Sequence, residues 1–390
     1  MTSFQKKMSS SFYTRFIFMK SNILKPDLSG LIRLISLAWI ITKMICYKLW
    51  FSERFFPLVP VHEILSGLPA ILHSTLFVIS IGCMLLLLVS PGRKTIMVLL
   101  LAELLSCCLD QNRWQPWEYQ FIFMYATFVF CKAEKDVMIS WQLIVAGLYF
   151  FGGVGKLNSG FIHDTWKYLM LHRWLDIGQV NIWVTRAGYL LPLIEMLAGI
   201  CLLYNRTRKP AMWVLILMHL LILIMLGPAG LSINHVVWPW NILMIFLLYS
   251  LFNNKSFSVN AEVIRKPASW VVIICWWILP WFQLSGHWDK YLSSVLYSGG
   301  VEQLFICTDN PAAKKDLGKY MDSSFSVIPC SPVLSVYNWG IREIRTAPYP
   351  EQRIQKAMIR AWKKKYPGKT DRFYIYKPGF AYTVKEIILP

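Results

Sequence analysis

A succession of apolar stretches, most of them close to the length that crosses a lipid bilayer, dominates the 390-residue sequence. An α-helix needs about 20 predominantly apolar residues to cross the hydrocarbon core of a membrane. We predict nine membrane spans, at residues 31–50, 70–89, 95–109, 119–131, 137–156, 187–204, 211–226, 236–252 and 268–284. Two cations, Arg33 and Lys43, weaken the first span. The pattern predicts an all-α polytopic membrane protein.

The composition favours a membrane protein and argues against a nucleic-acid-binding protein. Hydrophobic residues make up 56% of the chain, and its 18 Trp, 18 Tyr and 23 Phe suit the aromatic belts of a membrane protein. The formal charge is +19, but the basic residues lie mainly in short loops between the apolar stretches. We therefore predict that the lipid bilayer is a partner of this chain and that nucleic acid is not.

The distribution of basic residues predicts the orientation in the membrane. Loops on the side of the amino terminus hold 15 Lys and Arg, against 6 in the loops of the other side. Because cytoplasmic loops are enriched in Lys and Arg, residues 1–30 are predicted to be a basic cytoplasmic segment. Nine crossings of the transmembrane domain, residues 31–284, then place residues 285–390 outside. The predicted location is the bacterial inner membrane.

Residues 285–390 have the pattern of a small extracytoplasmic α/β domain. Residues 301–307 form a strand candidate, and residues 349–362 have helical spacing with a proline near the start. Residues 372–384 predict a hairpin that turns at Pro378–Gly379.

Cysteine placement predicts one disulfide and no metal site. Seven of the nine cysteines lie in or beside apolar stretches and form no zinc pattern. Cys307 and Cys330 are the only two in the region placed outside, where oxidation is permitted. We predict a bond between them.

The segment 145–158 carries a glycine cluster followed by one lysine, Lys156. Small residues at this density let neighbouring membrane helices approach closely. A lysine at the end of such a helix either extends to the head groups, pairs with an acid, or loses its charge. The first alternative makes it an anchor, and the other two make it a candidate site.

The predicted orientation in the membrane places several polar and aromatic residues at the outer interface: Asp110, Arg113, Trp114, Glu118 and Lys156. Glu195 and His219 lie within the sixth and seventh spans, where ionisable residues usually face a cavity or a partner. An aromatic-lined pocket near the outer leaflet is the natural inference.

These residues also have structural interpretations. Asp110 and Arg113 can cap helix ends and pair within the link. Glu195 can be neutral or paired inside the bundle, and His219 can be a hydrogen-bonded packing residue. His235 fits a structural turn, although it could line the pocket.

Four short motifs occur in order over residues 70–250: Leu109–Asp110 with Trp114, Leu148–Asn158, Leu193–Gly199, and Met218–His219. They resemble segments of vitamin K-dependent γ-glutamyl carboxylase and its bacterial relatives, the horizontally transferred transmembrane (HTTM) family. The resemblance implies an HTTM-like transmembrane domain. The chain departs from the family pattern at Pro116–Trp117, where the carboxylase has an Asn–His pair.

The resemblance implies an enzyme that uses a quinol of the menaquinone or vitamin K type, or that modifies a substrate at the outer membrane face. Lys156 would be the base that deprotonates the quinol, which requires a neutral amine, and His219 would be a second catalytic candidate. The alternative is a non-catalytic, DoxX-like membrane subunit, or a factor in peptide maturation or export. Its partner would be a secreted peptide or a redox protein.

Overall fold

A helical bundle forms most of the computed structural model, which describes residues 27–253, 266–368, 370–378 and 382–388. The basic residues that precede position 27, and Gly379 of the predicted hairpin turn, lie outside these ranges. The bundle helices are α1 (Leu28–Ile45), α2 (Ala70–Val89), α3 (Arg93–Leu109), α4 (Pro116–Phe130), α5 (Glu134–Lys156), α6 (Ile182–Ala187), α7 (Leu190–Cys201), α8 (Arg208–Leu226), α9 (Val237–Phe252) and α10 (Pro267–Ile273). Helix α10 continues through Ile274–Ile278 and Leu279–Ser285 in π-helical and 3-10 turns.

Six helical stretches of the described chain are long and apolar enough to cross a membrane. They are Leu28–Ile45, Ala70–Val89, Glu134–Lys156, Ile182–Cys201, Arg208–Leu226 and Pro267–Ser285. The other predicted spans correspond to α3, α4 and α9, which have 17, 15 and 16 residues. The chain is therefore a polytopic helical membrane protein, as predicted, and the total of nine crossings stays a prediction.

Helix α1 accommodates both cations that weaken the first predicted span. The amine of Lys43 lies 2.8 Å from a Glu103 carboxylate oxygen on α3, and both side chains are fully buried. Arg33 donates to the carbonyl of Val89 at 3.4 Å. Asp27 caps the helix by accepting from the amide of Gly30. The helix ends at Ile45 rather than at Trp50.

The segment between α5 and α7 carries exposed aromatic side chains, as expected of a segment at the membrane interface. It contains a π-helical stretch, Phe161–Trp174, and the short helix α6. Tyr168 and Trp183 are 62% and 72% exposed. Amphipathic aromatic rings prefer the head-group level of a bilayer, so these exposed side chains suit a segment that lies along the membrane interface.

The C-terminal region contains a small antiparallel sheet, consistent with the predicted α/β pattern. Its strands β1 (Gln303–Cys307), β2 (Leu334–Ser335), β3 (Arg372–Lys377) and β4 (Thr383–Glu386) lie in the order β2-β1-β3-β4. Its helices are α11 (Pro311–Leu317), α12 (Val336–Glu343) and α13 (Gln352–Lys365). The sequence indicated β1, α13 and the β3–β4 pair but not β2, α11 or α12. The domain boundary at residue 285 stays a prediction.

Glu343 joins the C-terminal region to the loop between α1 and α2. Its carboxylate accepts from the amides of Phe55 and Phe56 at 2.7 and 3.1 Å, and from the indole of Trp339 at 2.5 Å. The Trp339 ring packs edge-on against Phe56, with 5.0 Å between ring centroids. Charge-assisted and apolar contacts therefore dock α12 directly on this loop.

A second set of contacts joins the C-terminal region to the link between α3 and α4. The amide of Tyr349 donates to Asn112 at 3.1 Å, and Thr346 donates to the Gln115 side chain at 3.0 Å. Asn112 and Gln115 are buried. The C-terminal region thus lies at the end of the bundle that carries the α1–α2 loop and the α3–α4 link.

Cys307, at the end of β1, and Cys330 form a disulfide in the structure, 23 positions apart in sequence, and both pack in a small apolar cluster with Phe305 and Tyr374 of the sheet. We expect Cys307→Ser to lower the free energy of unfolding by about 3 kcal/mol, because the bond restricts the unfolded chain. Cys201→Ser, at a free cysteine, serves as the control. Thermal unfolding with and without reductant measures the difference. Alkylation of both thiols without reductant, in protein taken from an oxidising compartment, would contradict this prediction.

Candidate functional site

Lys156 and Glu195 form an ion pair between α5 and α7. The Lys156 amine donates to both Glu195 carboxylate oxygens, at 2.9 and 2.6 Å. The two side chains are only 15% and 9% exposed. Opposite charges at this distance attract each other strongly when they are shielded from water. Of the three alternatives open for Lys156, the structure contains the paired one.

Glycines bring α5 and α7 close enough for this pair to form. A Cβ atom at Gly153 would lie 2.5 Å from the Pro192 carbonyl oxygen and 2.6 Å from the Met196 amide nitrogen. A Cβ atom at Gly199 would lie 2.6 Å from the Phe150 amide nitrogen. The two helix backbones therefore touch at positions where only glycine fits, as small residues allow in membranes.

His219 lies in a buried hydrogen-bond chain that crosses three helices. Its Nδ1 donates to the Asn241 side-chain oxygen at 2.7 Å, and the Tyr149 hydroxyl donates to its Nε2 at 2.6 Å. The Asn241 amide in turn donates to the Val237 carbonyl at 2.7 Å, which leaves its oxygen facing the histidine. Both ring nitrogens of His219 are therefore occupied by α5 and α9.

The ion pair and the histidine chain belong to one polar layer. Tyr149 precedes Lys156 by seven residues, two turns along one face of α5. From this helix, Tyr149 contacts His219 and Lys156 contacts Glu195. The structure therefore brings together Lys156, Glu195 and His219. Each of these three side chains has hydrogen-bond partners on a neighbouring helix, and such contacts link the helices to one another.

Arg113 lies apart from this layer and donates hydrogen bonds to three backbone carbonyls. Its guanidinium donates to the carbonyls of Leu49 and Trp50, to Ser106 through both the carbonyl and the hydroxyl, and to His73. The five distances run from 2.8 to 3.0 Å, and Arg113 is fully buried. These contacts fix the chain after α1 against α2 and α3.

Asp110 and Trp114 belong to the same link. Asp110 pairs with Arg54 of the α1–α2 loop and accepts from the amide of Val59 at 3.1 Å. It does not pair with Arg113, although it caps the turn as expected. Trp114 packs edge-on against Tyr119, 6.4 Å between ring centroids.

Glu118 belongs to a third cluster of buried polar side chains, together with Trp39 and Lys43. It accepts from the indole of Trp39 at 2.7 Å, and its other oxygen lies 3.7 Å from the amine of Lys43.

His235 is half-buried beside Trp238, with ring centroids 4.6 Å apart. It occupies the loop before α9, consistent with a role in the turn.

The residues that sequence reasoning missed are those that complete these groups: Lys43, Glu103, Tyr149 and Asn241. Glu103 is the only acidic residue in the stretch 95–109, and Lys43 stands within the first apolar stretch. The sequence contained one signal for the Lys43–Glu103 pair, namely two opposite charges inside two predicted membrane spans. Through the parts of the chain described, no group of three or more His, Cys, Asp or Glu side chains could hold a metal ion.

No curated protein and no solved structure matches the chain significantly. The resemblance to the carboxylase and the HTTM family is wrong, because the family model that matches belongs to a different membrane family. The short glycine motifs that suggested it follow from close helix packing, which unrelated membrane proteins share. The matching model is that of the methylamine utilisation protein MauE, and it covers residues 135–237, which include Lys156, Glu195 and His219.

Proposed function

We propose that this protein is a non-catalytic membrane subunit that holds its C-terminal region at the outer membrane face for a secreted peptide or a redox partner. The Lys156–Glu195 pair carries the proposal. A general base needs a neutral amine with a free lone pair, whereas both oxygens of Glu195 contact this amine. The pair instead links α5 to α7, as a structural contact would.

The docking of the C-terminal region supports a presenting role. Buried contacts from Glu343 and Tyr349 attach this region to two loops at one end of the bundle. A partner that bound the sheet or α13 would then be held at a constant height above the bilayer. The excess of basic residues in the opposite loops favours the outer face for this end.

A charge-free replacement of the ion pair tests the proposal. In the native host, a strain without the gene is complemented with Lys156→Met/Glu195→Leu, in which two apolar side chains replace the pair. We expect wild-type complementation, because well-packed apolar residues can replace a buried ion pair. Glu195→Leu alone is the matched control and should complement poorly, since it leaves Lys156 unpaired.

The competing function is a quinol-using enzyme with Lys156 as base. It predicts that the double variant folds, elutes from gel filtration like the wild type, and still fails to complement. It also predicts that solvent extraction of the purified wild type releases stoichiometric quinone. These two results together would overturn the proposed function.

The orientation has its own test. Reporter fusions after Lys94, Asp136, Arg208 and Arg265 are expected to report the cytoplasm, and fusions after Gln111 and Pro390 the outside. The expectation rests on the positive-inside rule. A cytoplasmic signal from the fusion at Pro390 would place the C-terminal region on the wrong side for a secreted partner.

A further inference from the structure

Three ionisable side chains meet in the bundle, away from the Lys156 layer. Lys43 of α1 lies 2.8 Å from Glu103 Oε2 of α3 and 3.7 Å from Glu118 Oε1 of α4. Each of the three side chains is fully buried. The Trp39 indole donates to Glu118 Oε2 at 2.7 Å, and the Trp50 ring covers the amine.

One oxygen of each carboxyl group has no donor. Glu103 Oε1 and Glu118 Oε1 are buried and without a hydrogen-bond partner. Both carboxyl groups contact the same buried amine, at 2.8 and 3.7 Å. Ionised carboxylates only accept hydrogen bonds, so two of them around one amine repel each other, and a proton on one of them removes that repulsion.

Charge balance leads to the same result. Within this fully buried cluster, two carboxylates and one ammonium leave one negative charge without a cation in contact, and burying an unpaired charge is strongly unfavourable. The other titratable groups facing the cluster are the thiols Cys46, Cys83 and Cys107, which are neutral at physiological pH in their ordinary state, and Arg113. Arg113 is a buried cation as well, but its hydrogen bonds go to carbonyls, Ser106 and His73, so Lys43 is the cation that contacts the two carboxylates.

We infer that Glu103 and Glu118 form a proton-binding site within the bundle, in which one of the two carboxyl groups carries a proton beside the Lys43 ammonium. The ligand of this site is a proton. With it bound, the cluster is neutral as a whole: one ammonium, one carboxylate and one carboxylic acid. Its release would leave a net negative charge between α1, α3 and α4. Proton occupancy is therefore linked to how these three helices pack.

Infrared spectroscopy of the full-length protein in lipid nanodiscs detects this proton directly. The C=O stretch of a carboxylic acid is separate from the bands of a carboxylate, and it shifts in D2O. Measurement at pH 8 excludes Asp164, for which burial raises the pKa to about 6. We expect the wild type to show a protonated-acid band at this pH, although ordinary Asp and Glu side chains ionise near pH 4.

Three variants assign the band. Glu103→Gln and Glu118→Gln should each abolish it, because the remaining carboxylate then balances Lys43 alone. Lys43→Met should roughly double it, because both acids then become neutral. Glu134→Gln, at an exposed carboxylate, is the control and should leave the band unchanged. Near-wild-type elution from gel filtration shows that a variant has folded.

Two results would overturn the inference. The first is the absence of a protonated-acid band in the wild type at pH 8, a measurement that needs no variant to fold. The second is a band that keeps its intensity in both folded glutamine variants, which would assign the proton elsewhere.

Discussion

Lys156→Met is expected to destabilise the protein by about 3–5 kcal/mol. The substitution removes the cation from Glu195, whose side chain is only 9% exposed, and leaves a largely buried carboxylate without its partner. Thermal unfolding in detergent, followed by intrinsic tryptophan fluorescence, measures the loss.

Two further variants separate pairing from other roles of Lys156. Lys156→Met/Glu195→Leu should recover most of the stability, because it removes both charges together. Lys156→Arg should be tolerated, since a guanidinium can also bind both oxygens of a carboxylate. If Lys156→Met unfolds at the wild-type temperature, the ion pair contributes nothing to the link between α5 and α7.

Gly153→Leu is expected to prevent α5 and α7 from packing, and to have a larger effect than Lys156→Met. A Cβ atom at this position would already lie 2.5 Å from the Pro192 carbonyl oxygen and 2.6 Å from the Met196 amide nitrogen. These are backbone atoms, which cannot rotate away as a side chain can. Overpacking of a core commonly costs about 1–3 kcal/mol, and separation of two helix backbones should exceed that range.

Gly82→Leu is the matched control for this prediction. Gly82 lies within α2, and a Cβ atom there would meet nothing within 4 Å. The fraction of detergent-extracted protein that elutes as a single symmetrical species should therefore fall sharply for Gly153→Leu and remain near the wild type for Gly82→Leu. Equal behaviour of the two variants would show that the glycine contact does not hold the helices together.

Much of the fold could be predicted because hydrophobic length is a local property. The predicted span at residues 70–89 is the helix Ala70–Val89, since twenty apolar residues have few other stable arrangements in a bilayer. Proline and alternation likewise indicated α13 and the β3–β4 pair. Helix α12 was missed because it has only eight residues and packs through a few side chains.

The roles of the candidate residues were harder to predict, because they depend on partners distant in sequence. Lys156 taken alone was compatible with an anchor, a partner in an ion pair or a base; its partner Glu195 is 39 residues away on another helix. Asp110 and Arg113 are close in sequence, yet Asp110 pairs with Arg54, and Arg113 binds carbonyls of the preceding loop. Short motifs also misled the family assignment, because glycine spacing reports close packing rather than ancestry.

The apolar pattern of the sequence is sufficient to predict helices in a membrane, because it sets which segments leave water. The pairing of the buried charges, Lys156 with Glu195 and Lys43 with Glu103 and Glu118, depends instead on how the helices pack. A charge within a span requires a partner, but the sequence does not specify which helix supplies it. Helix packing selects that partner, since it brings residues from separate spans to the same depth.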